Sequence, residues 1–256
     1  MLPYDEAGSG DAVLLIHAGV ADRSMWREHL DWLAEAGFRA IAVDLPGFGE
    51  AAVQAGPQAP WVDVLRTLRE LDVARAALVG NSFGAAVALR VAVVAPAAVS
   101  SLVLISSPPV VLEPSPALSS AWEAESAALE RGDVDGAVAA VVEAWTQPTA
   151  SDSLRERVAS MQRRAFELQA EAGEVQEAPD PLEEHPELLA GLQIRALVAA
   201  GEHDMVDFRD AAGQLAEVMP LARHVVIEGA GHLASLETPD DFRRLLLDFL
   251  HETPSS

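Results

Sequence analysis

Short, continuously apolar runs alternate along the chain with stretches whose apolar residues recur at helical spacing. Runs such as Leu102-Val103-Leu104-Ile105 are apolar at every position, which indicates strands covered on both faces. The runs predict strands at 12–17, 39–44, 76–80 and 99–106, one beginning near 194, and one at 222–227. The helical spacing predicts helices at 24–36, 61–71, 83–95 and 208–219, with a last helix beginning at 238. The pattern therefore predicts an α/β fold with a mostly parallel central sheet flanked by helices on both faces.

One long segment, residues 113–187, breaks this alternation. Prolines cluster at both of its edges, and between them lie three helical stretches, at 118–131, 134–145 and 154–172. We interpret this segment as a helical cap inserted into a core domain formed by residues 1–112 and 188–256. The name cap segment is used below for residues 113–187.

Three aromatic residues of the cap segment are candidates for lining a substrate pocket: Trp122, Trp145 and Phe166. Small-ligand sites typically combine apolar walls with few polar groups. Packing between the helices of the cap segment is the alternative interpretation for each of the three.

The predicted strand at 76–80 ends in a Gly-Asn-Ser-Phe-Gly turn, and a helix-compatible stretch follows at once. A strand-to-helix turn this tight holds its central residue, Ser82, in a strained backbone conformation, which requires small neighbours at Gly80 and Gly84. The turn also sets Ser82 near the start of the helix, where backbone N–H groups face a developing oxyanion. The setting predicts that Ser82 is a nucleophile, although a short Gly/Ser pattern can also be an ordinary turn.

A serine hydroxyl becomes an effective nucleophile when a base takes its proton and an acid orients that base. His232 lies on a glycine-rich loop just past a predicted strand, and Asp204 follows the end of another. The chain order Ser82, Asp204, His232 therefore predicts a catalytic triad. Asp207 is the rival for the acid, with capping of the next helix as its alternative role.

Two further motifs accompany these residues: Leu-Leu-Ile-His-Ala-Gly at 14–19 and Asp-Leu-Pro-Gly-Phe-Gly at 44–49. Together with the Gly-Asn-Ser-Phe-Gly turn and the segments that carry Asp204 and His232, they make five motifs. In this order, and over nearly the full length of the chain, the five motifs resemble those of the α/β-hydrolase superfamily. The resemblance implies the α/β-hydrolase fold with an inserted cap, and a serine hydrolase in which the backbone N–H groups of Phe83 and Gly19 form the oxyanion hole. His17 matches a family histidine that orders the oxyanion loop.

The chain departs from the family pattern at two small residues. Ala18 stands where the family usually has glycine. Ala85 replaces a frequent second glycine after the Gly-Asn-Ser-Phe-Gly turn, which in this family is called the elbow. Both keep their N–H donors. Asp44 is expected to anchor its turn through hydrogen bonds from backbone N–H groups. Four other histidines are predicted to lie at the surface: His29, His185, His224 and His251.

The resemblance leaves three functions open. The leading interpretation is a carboxylesterase or lactonase that hydrolyses a small, largely apolar ester or lactone through an acyl-enzyme. The elbow also resembles that of the carbon–carbon bond hydrolases of meta-cleavage pathways, which commonly carry tryptophan after the catalytic histidine, where this chain has Leu233. Leu233 is therefore a further candidate for the substrate pocket. A non-catalytic, ligand-binding member of the fold is the third possibility.

Composition narrows the chemistry further. A chain of 256 residues with 50% hydrophobic residues can bury the core of one α/β domain. The absence of cysteine excludes disulfides, a cysteine nucleophile and a thiolate zinc site, and the predicted chemistry needs neither a cofactor nor a metal. A net charge of −23 argues against binding to nucleic acid or an anionic membrane, since both would repel the protein. Without a signal-like or membrane-spanning run, the sequence predicts a cytoplasmic protein that acts on a small molecule.

Overall fold

The computed structural model describes residues 1–53, 55–110 and 113–252. Within these ranges the strands are β1 (Tyr4–Gly8), β2 (Ala12–Ile16), β3 (Arg39–Val43), β4 (Ala76–Asn81), β5 (Val99–Ile105), β6 (Ala196–Gly201) and β7 (Ala222–Ile227). They form one sheet in the order β1-β3-β2-β4-β5-β6-β7. β1 pairs with β3 in antiparallel fashion, whereas the other neighbouring strands pair in parallel. The predicted mostly parallel sheet is confirmed.

The helices of the described ranges are α1 (Arg27–Glu35), α2 (Pro60–Glu70), α3 (Phe83–Val94), α4 (Pro116–Glu130), α5 (Val134–Trp145), α6 (Asp152–Ala172), α7 (Pro181–Glu184), α8 (Val206–Val218), α9 (Ala234–Glu237) and α10 (Pro239–His251). The helix predicted at 24–36 is divided in two. A 3-10 turn, Arg23–Trp26, precedes α1 because the Asp22 side chain accepts the N–H of Ser24 and tightens this turn. No helix in the described part of the chain has the length and apolar character needed to cross a bilayer.

The central strands are covered on both faces, as their continuous apolar runs predict. Along β2, Leu14 and Ile16 join one buried cluster, whereas Val13 and Leu15 join the cluster on the other side of the sheet. This alternation follows from the two-residue period of a strand. β4 is buried at each of its positions and is the fourth of the seven strands, so the turn that follows it lies at the centre of the sheet's carboxyl edge.

Helices α4, α5 and α6 of the cap segment lie between β5 and β6 in the chain, and their starts follow ordinary capping rules. Ser115, Asp133 and Ser151 each accept a backbone N–H from the first turn of the following helix. The end of the cap segment contacts the core, since Gln58 exchanges backbone hydrogen bonds with Gln176 and Ala178. The division into core and cap stays a prediction, and residues 54, 111, 112 and 253–256 of the predicted core lie outside the described residues.

His29 is not at the surface, contrary to the prediction. Its side chain is 1% exposed, and its ring lies 4.9 Å from that of Trp26, 5.4 Å from Trp32 and 5.5 Å from Phe242. The helical period indicated that His29 is buried, because position 29 falls on the apolar face that includes Trp26 and Leu30. Burial lowers the pKa of His29 to about 4. The other three histidines are exposed, as predicted.

His29 should make the protein sensitive to acid. Between its ordinary pKa of 6.5 and the lowered value of about 4, the unfolded chain takes up a proton at His29 that the folded chain does not. The free energy of unfolding should therefore decrease as the pH is lowered through this window, and His29 should contribute about 3 kcal/mol to this loss. Urea unfolding at about pH 7 and about pH 4.5 should show a smaller loss for His29→Gln than for the wild type. The exposed His224→Gln variant is the matched control, and an equal loss in all three proteins would contradict the assignment.

Candidate active site

The turn between β4 and α3 holds Ser82 in a strained conformation, with φ 54° and ψ −116°. Neighbouring elements hold it there. Its N–H donates to the Ile105 carbonyl of β5 at 2.8 Å, and its own carbonyl accepts the N–H groups of Ala85 and Ala86. A non-glycine residue at positive φ costs on the order of 1–3 kcal/mol and persists where the surrounding structure fixes it. The backbone conformation matches the strained strand-to-helix turn that the sequence predicts.

Both glycines of the elbow are needed for close approach of the backbone. A Cβ atom at Gly84 would overlap the carbonyl oxygens of Ile16 and His17, at the end of β2. A Cβ atom at Gly80 would overlap the carbonyl oxygen of Gly84 itself. The start of α3 therefore packs directly against the end of β2, which brings the Ser82 turn next to the loop that contains Gly19.

A buried hydrogen bond joins His232 to Asp204. The distance from His232 Nδ1 to Asp204 Oδ1 is 2.9 Å, and the two side chains are 4% and 0% exposed. The same Oδ1 accepts the N–H of Met205 at 2.8 Å. Because a carboxylate can only accept, Nδ1 of His232 carries the proton and Nε2 is left as an acceptor. This is the tautomer that a general base requires.

Asp207, the rival acid, is engaged elsewhere. Its carboxylate accepts the N–H of Ser115 at 2.7 Å and the hydroxyl of Ser115 at 2.6 Å. Burial raises the pKa of Asp207, but the hydrogen bonds from Ser115 outweigh it, and the net pKa lies below the usual value. Asp207 thus fixes the start of α4 against α8, rather than capping its own helix.

Asn81 connects the elbow to the histidine loop. This residue immediately precedes Ser82, is fully buried, and donates from Nδ2 to the His232 carbonyl at 3.1 Å. The described chain contains no hydrogen bond between the Ser82 hydroxyl and the His232 ring. In free enzymes the bond between nucleophile and base is often long and tightens only when substrate binds.

Glu237 holds the histidine loop from the other side, a role that no sequence pattern indicated. Its Oε2 accepts the N–H of Gly231 at 2.7 Å, and its Oε1 accepts the N–H of Gln147 at 3.1 Å. The Gln147 side chain in turn donates to the Gly229 carbonyl at 2.8 Å. The loop that carries His232 is therefore connected to the end of α5 in the cap segment.

Two aromatic rings pack against the His232 imidazole. The centroid of Trp145 lies 4.5 Å from it and that of Phe208 lies 4.4 Å from it. The contact of Phe208 with His232 was not predicted from the sequence. The one sequence feature that indicated it was the position of Phe208 in the first helical turn after Asp204. These rings keep the imidazole in apolar surroundings, so its contact with Asp204 is shielded from water.

The other predicted pocket residues are placed differently from Trp145. Trp122 lies on α4 and is 40% exposed. Phe166 is buried in the apolar cluster of the cap segment, which supports the packing interpretation. Leu233 is fully buried in the cluster beneath the sheet. Pocket lining is therefore retained as a prediction for Trp145 alone.

Two cavities of about 450 Å³ each adjoin the predicted catalytic residues. Gly19 and Phe83 line the first, which we name the Phe83 cavity. His232, Asp204 and Trp145 line the second, which we name the His232 cavity. Gly19 and Phe83 are neighbours, since a Cβ atom at Gly19 would lie 3.5 Å from the Phe83 Cβ. The two residues predicted to form the oxyanion hole thus share a wall of one cavity.

His17 orders the loop beside this wall. Its Nε2 accepts the Leu45 N–H at 2.9 Å and its Nδ1 lies 2.8 Å from the Ala18 carbonyl, which it can contact only as a donor. Burial lowers the pKa of His17, in keeping with the neutral ring that these two contacts require. Asp44 anchors its turn as predicted, because its carboxylate accepts the N–H groups of Arg23 and Glu50.

The described residues include no cluster of three or more histidine and carboxylate side chains suited to a metal ion. The groups placed at the carboxyl edge of the sheet are a strained serine, a histidine bonded to a buried carboxylate, and backbone N–H groups at the start of α3. This set can support nucleophilic acyl transfer.

Comparisons with known proteins agree with this fold. A model of the alpha/beta hydrolase family matches residues 13–245. The 2-hydroxy-6-oxo-6-phenylhexa-2,4-dienoate hydrolase of Comamonas testosteroni is 26% identical, over 98% of this chain and 92% of that protein.

Two solved structures are similar over nearly the whole chain. A thermophilic esterase from Thermogutta terrifontis has a TM-score of 0.78 and 25% identity, covering 97% of this chain and 92% of its own. The enol-lactonase from Burkholderia xenovorans LB400 has a TM-score of 0.80 and 23% identity, covering 98% of this chain and 96% of its own, a likeness of fold.

Proposed function

Because this chain belongs to the alpha/beta hydrolase family, we propose that it is a serine hydrolase that cleaves a small, largely apolar ester or lactone through an acyl-enzyme. The observation that carries the proposal is the buried hydrogen bond between His232 and Asp204, at the same sheet edge as the strained Ser82. A strained serine, and a histidine whose Nδ1 is bonded to a buried carboxylate, support the assignment of an activated nucleophile.

In the proposed mechanism, the Ser82 hydroxyl oxygen attacks the carbonyl carbon while His232 Nε2 takes its proton. Asp204 stabilises the resulting imidazolium, and the N–H groups of Phe83 and Gly19 bind the oxyanion, each worth about 3 kcal/mol. His232 then returns the proton to the leaving alcohol as the C–O bond breaks. Water repeats the sequence on the acyl-enzyme and releases the acid.

A carbon–carbon bond hydrolase is the second candidate. The Gly-Asn-Ser-Phe-Gly elbow and the likeness to the Comamonas testosteroni dienoate hydrolase favour it. Against it, Leu233 stands where such enzymes commonly have tryptophan, and it is fully buried in the core. The ester or lactone reaction therefore remains our first proposal.

A panel of three substrates tests these alternatives: a short-chain nitrophenyl ester, an aliphatic lactone and a vinylogous diketone acid. We expect turnover of the ester or the lactone at least tenfold faster, by kcat/KM, than turnover of the diketone. Faster cleavage of the diketone would favour the second candidate. Binding of all three with no turnover would contradict both and favour a ligand-binding protein.

Trp145 is expected to influence which esters are accepted. Trp145→Ala should change the ratio of kcat/KM for esters of large and small alcohols by about tenfold or more, because it enlarges the cavity beside His232, the group that protonates the leaving alcohol. The exposed Trp122→Ala variant, in the same cap segment, should leave the ratio unchanged. Because truncating a packed tryptophan costs about 3–5 kcal/mol of stability, melting curves must show that both variants are folded at the assay temperature. An equal ratio in both folded variants would count against a role for Trp145 in the pocket.

A further inference from the structure

The Phe83 cavity adjoins the two proposed oxyanion donors, Gly19 and Phe83, and has a largely apolar wall. Phe83, Phe48, Trp61 and Val87 are among the residues that line it. His232, which returns the proton to the leaving group in the proposed mechanism, lines the other cavity. The Phe83 cavity is therefore the one available to the acyl chain.

The cavity has a charged end. Phe83, Val87 and Arg90 are spaced i, i+4, i+7 and so share one face of α3. At 1.5 Å per residue, Arg90 lies about 10 Å along the helix from Phe83. Its guanidinium donates from Nε to Asp180 Oδ2 at 2.6 Å and also to the Ala86 carbonyl at 3.0 Å.

The ion pair of Arg90 and Asp180 is mostly buried, with side chains 14% and 16% exposed. It also joins the core to the cap segment, since Arg90 belongs to α3 and Asp180 precedes α7. Asp180 is fixed independently of Arg90, because its Oδ1 accepts the Leu182 N–H at 2.8 Å as the N-cap of α7. The carboxylate is thus held in place against the guanidinium.

The balance of charge at this end is negative. Among the described residues that line the cavity, Arg90 provides the one positive charge, whereas Asp180 and Glu177 are both negative. An anionic group that reached this end would meet a cation already bound to a carboxylate, and would be repelled by both acids.

From this arrangement, and resting on the proposed function, we infer that the Phe83 cavity binds an uncharged acyl chain and that Asp180 excludes chains that end in a carboxylate. Asp180 acts by occupying Arg90, which would otherwise be a carboxylate-binding group at the far end of the cavity. Asp180 is in this sense the residue that sets the charge specificity of the pocket.

Three nitrophenyl esters test the inference: the octanoate, the half-ester of octanedioate, whose chain ends in a carboxylate, and the amino-octanoate, whose chain ends in an ammonium group. The wild type should prefer the octanoate to the octanedioate half-ester. Asp180→Asn should raise the kcat/KM of the half-ester relative to the octanoate by about tenfold or more, because the freed guanidinium can bind a carboxylate. Asparagine preserves the N-cap of α7, so this change removes the charge with little effect on the helix.

Arg90→Gln provides the opposite test. It leaves Asp180 uncompensated, so the relative kcat/KM of the amino-octanoate should rise by about tenfold while that of the half-ester falls. Glu184→Gln, which removes an exposed charge from α7 outside the cavity, should leave all three ratios at their wild-type values. If one of the two variants, Asp180→Asn or Arg90→Gln, fails to fold by its melting curve, the other still decides the question.

The inference and the proposed function fail in different ways. If the wild type hydrolyses the octanoate but both variants keep its charge preference, the inference is wrong and the proposed function stands. If the wild type turns over neither these esters nor a lactone, the proposed function is wrong. Calorimetric binding of the intact octanoate ester and octanedioate half-ester then decides the inference without turnover, and equal affinity for the two esters in wild type and in Asp180→Asn would overturn it.

Discussion

Replacing Ser82 with alanine is expected to lower kcat for a short-chain ester by about 10⁶-fold, the size of loss found when the nucleophile of a serine triad is removed. The fold should be unaffected, because alanine keeps the backbone hydrogen bonds that Ser82 makes to Ile105, Ala85 and Ala86. A fluorophosphonate probe should label the wild-type protein once, at Ser82, and should fail to label the variant. Mass spectrometry of the labelled peptide identifies the residue.

Ser106→Ala is the matched control. Ser106 follows the neighbouring strand β5, is also strained with φ 49°, and is fully buried. It resembles Ser82 in its backbone setting but does not follow the Gly-Asn-Ser-Phe-Gly pattern. The Ser106→Ala variant should keep both activity and labelling. Attachment of the probe at Ser106 or Ser107 would overturn the assignment of the nucleophile.

Asp204→Asn is expected to lower kcat by about 10⁴-fold while the protein stays folded. The asparagine amide can donate to His232 Nδ1, which would place the ring proton on Nε2. In that tautomer Nε2 cannot accept the proton of Ser82, so the base is lost although its position is kept. Single-turnover kinetics on the ester, with a melting curve for each protein, measure this effect.

Asp207→Asn distinguishes the two acids. Asp207 bonds Ser115 at the start of α4, so its replacement should loosen that contact and reduce kcat far less than Asp204→Asn does. The substitution is the same in both positions, and the two residues are three apart in the chain. A larger loss from Asp207→Asn would mean that Asp207 is the acid and that the hydrogen bond from His232 to Asp204 is not used in catalysis.

Much of the fold could be predicted because its signals are local. The apolar runs of β4, β5 and β6 identify strands covered on both faces, and the helical periods identify α2, α3 and α8. The outcome for His29 shows the limit of this reasoning. Its position on the apolar face of α1 was visible, but the aromatic residue Phe242 that covers it is more than 200 residues away along the chain.

In the candidate site, the residues that the sequence indicated are those that come directly after the end of a strand. Ser82, Asp204 and His232 each follow a strand of a parallel sheet, and the carboxyl ends of parallel strands meet at one edge. Phe208 and Glu237 escaped prediction because they contact the histidine loop from helices whose packing angle no local pattern specifies. Trp122, Trp145 and Phe166 show the same limit, since all three are aromatic residues of one segment and they differ in what they contact.

The sequence by itself determined the order of elements, the parallel sheet, the strained turn at Ser82 and the short list of acids and bases. These depend on residue periods and on backbone rules that act over a few neighbours. Only the tertiary structure distinguishes the contacts of Asp204 from those of Asp207, because each meets a partner far away in sequence: His232, 28 residues on, and Ser115, 92 residues back. The pair of Arg90 and Asp180 likewise joins residues 90 apart. Such contacts form when distant elements pack, and side-chain chemistry at one position does not specify which distant partner it will meet.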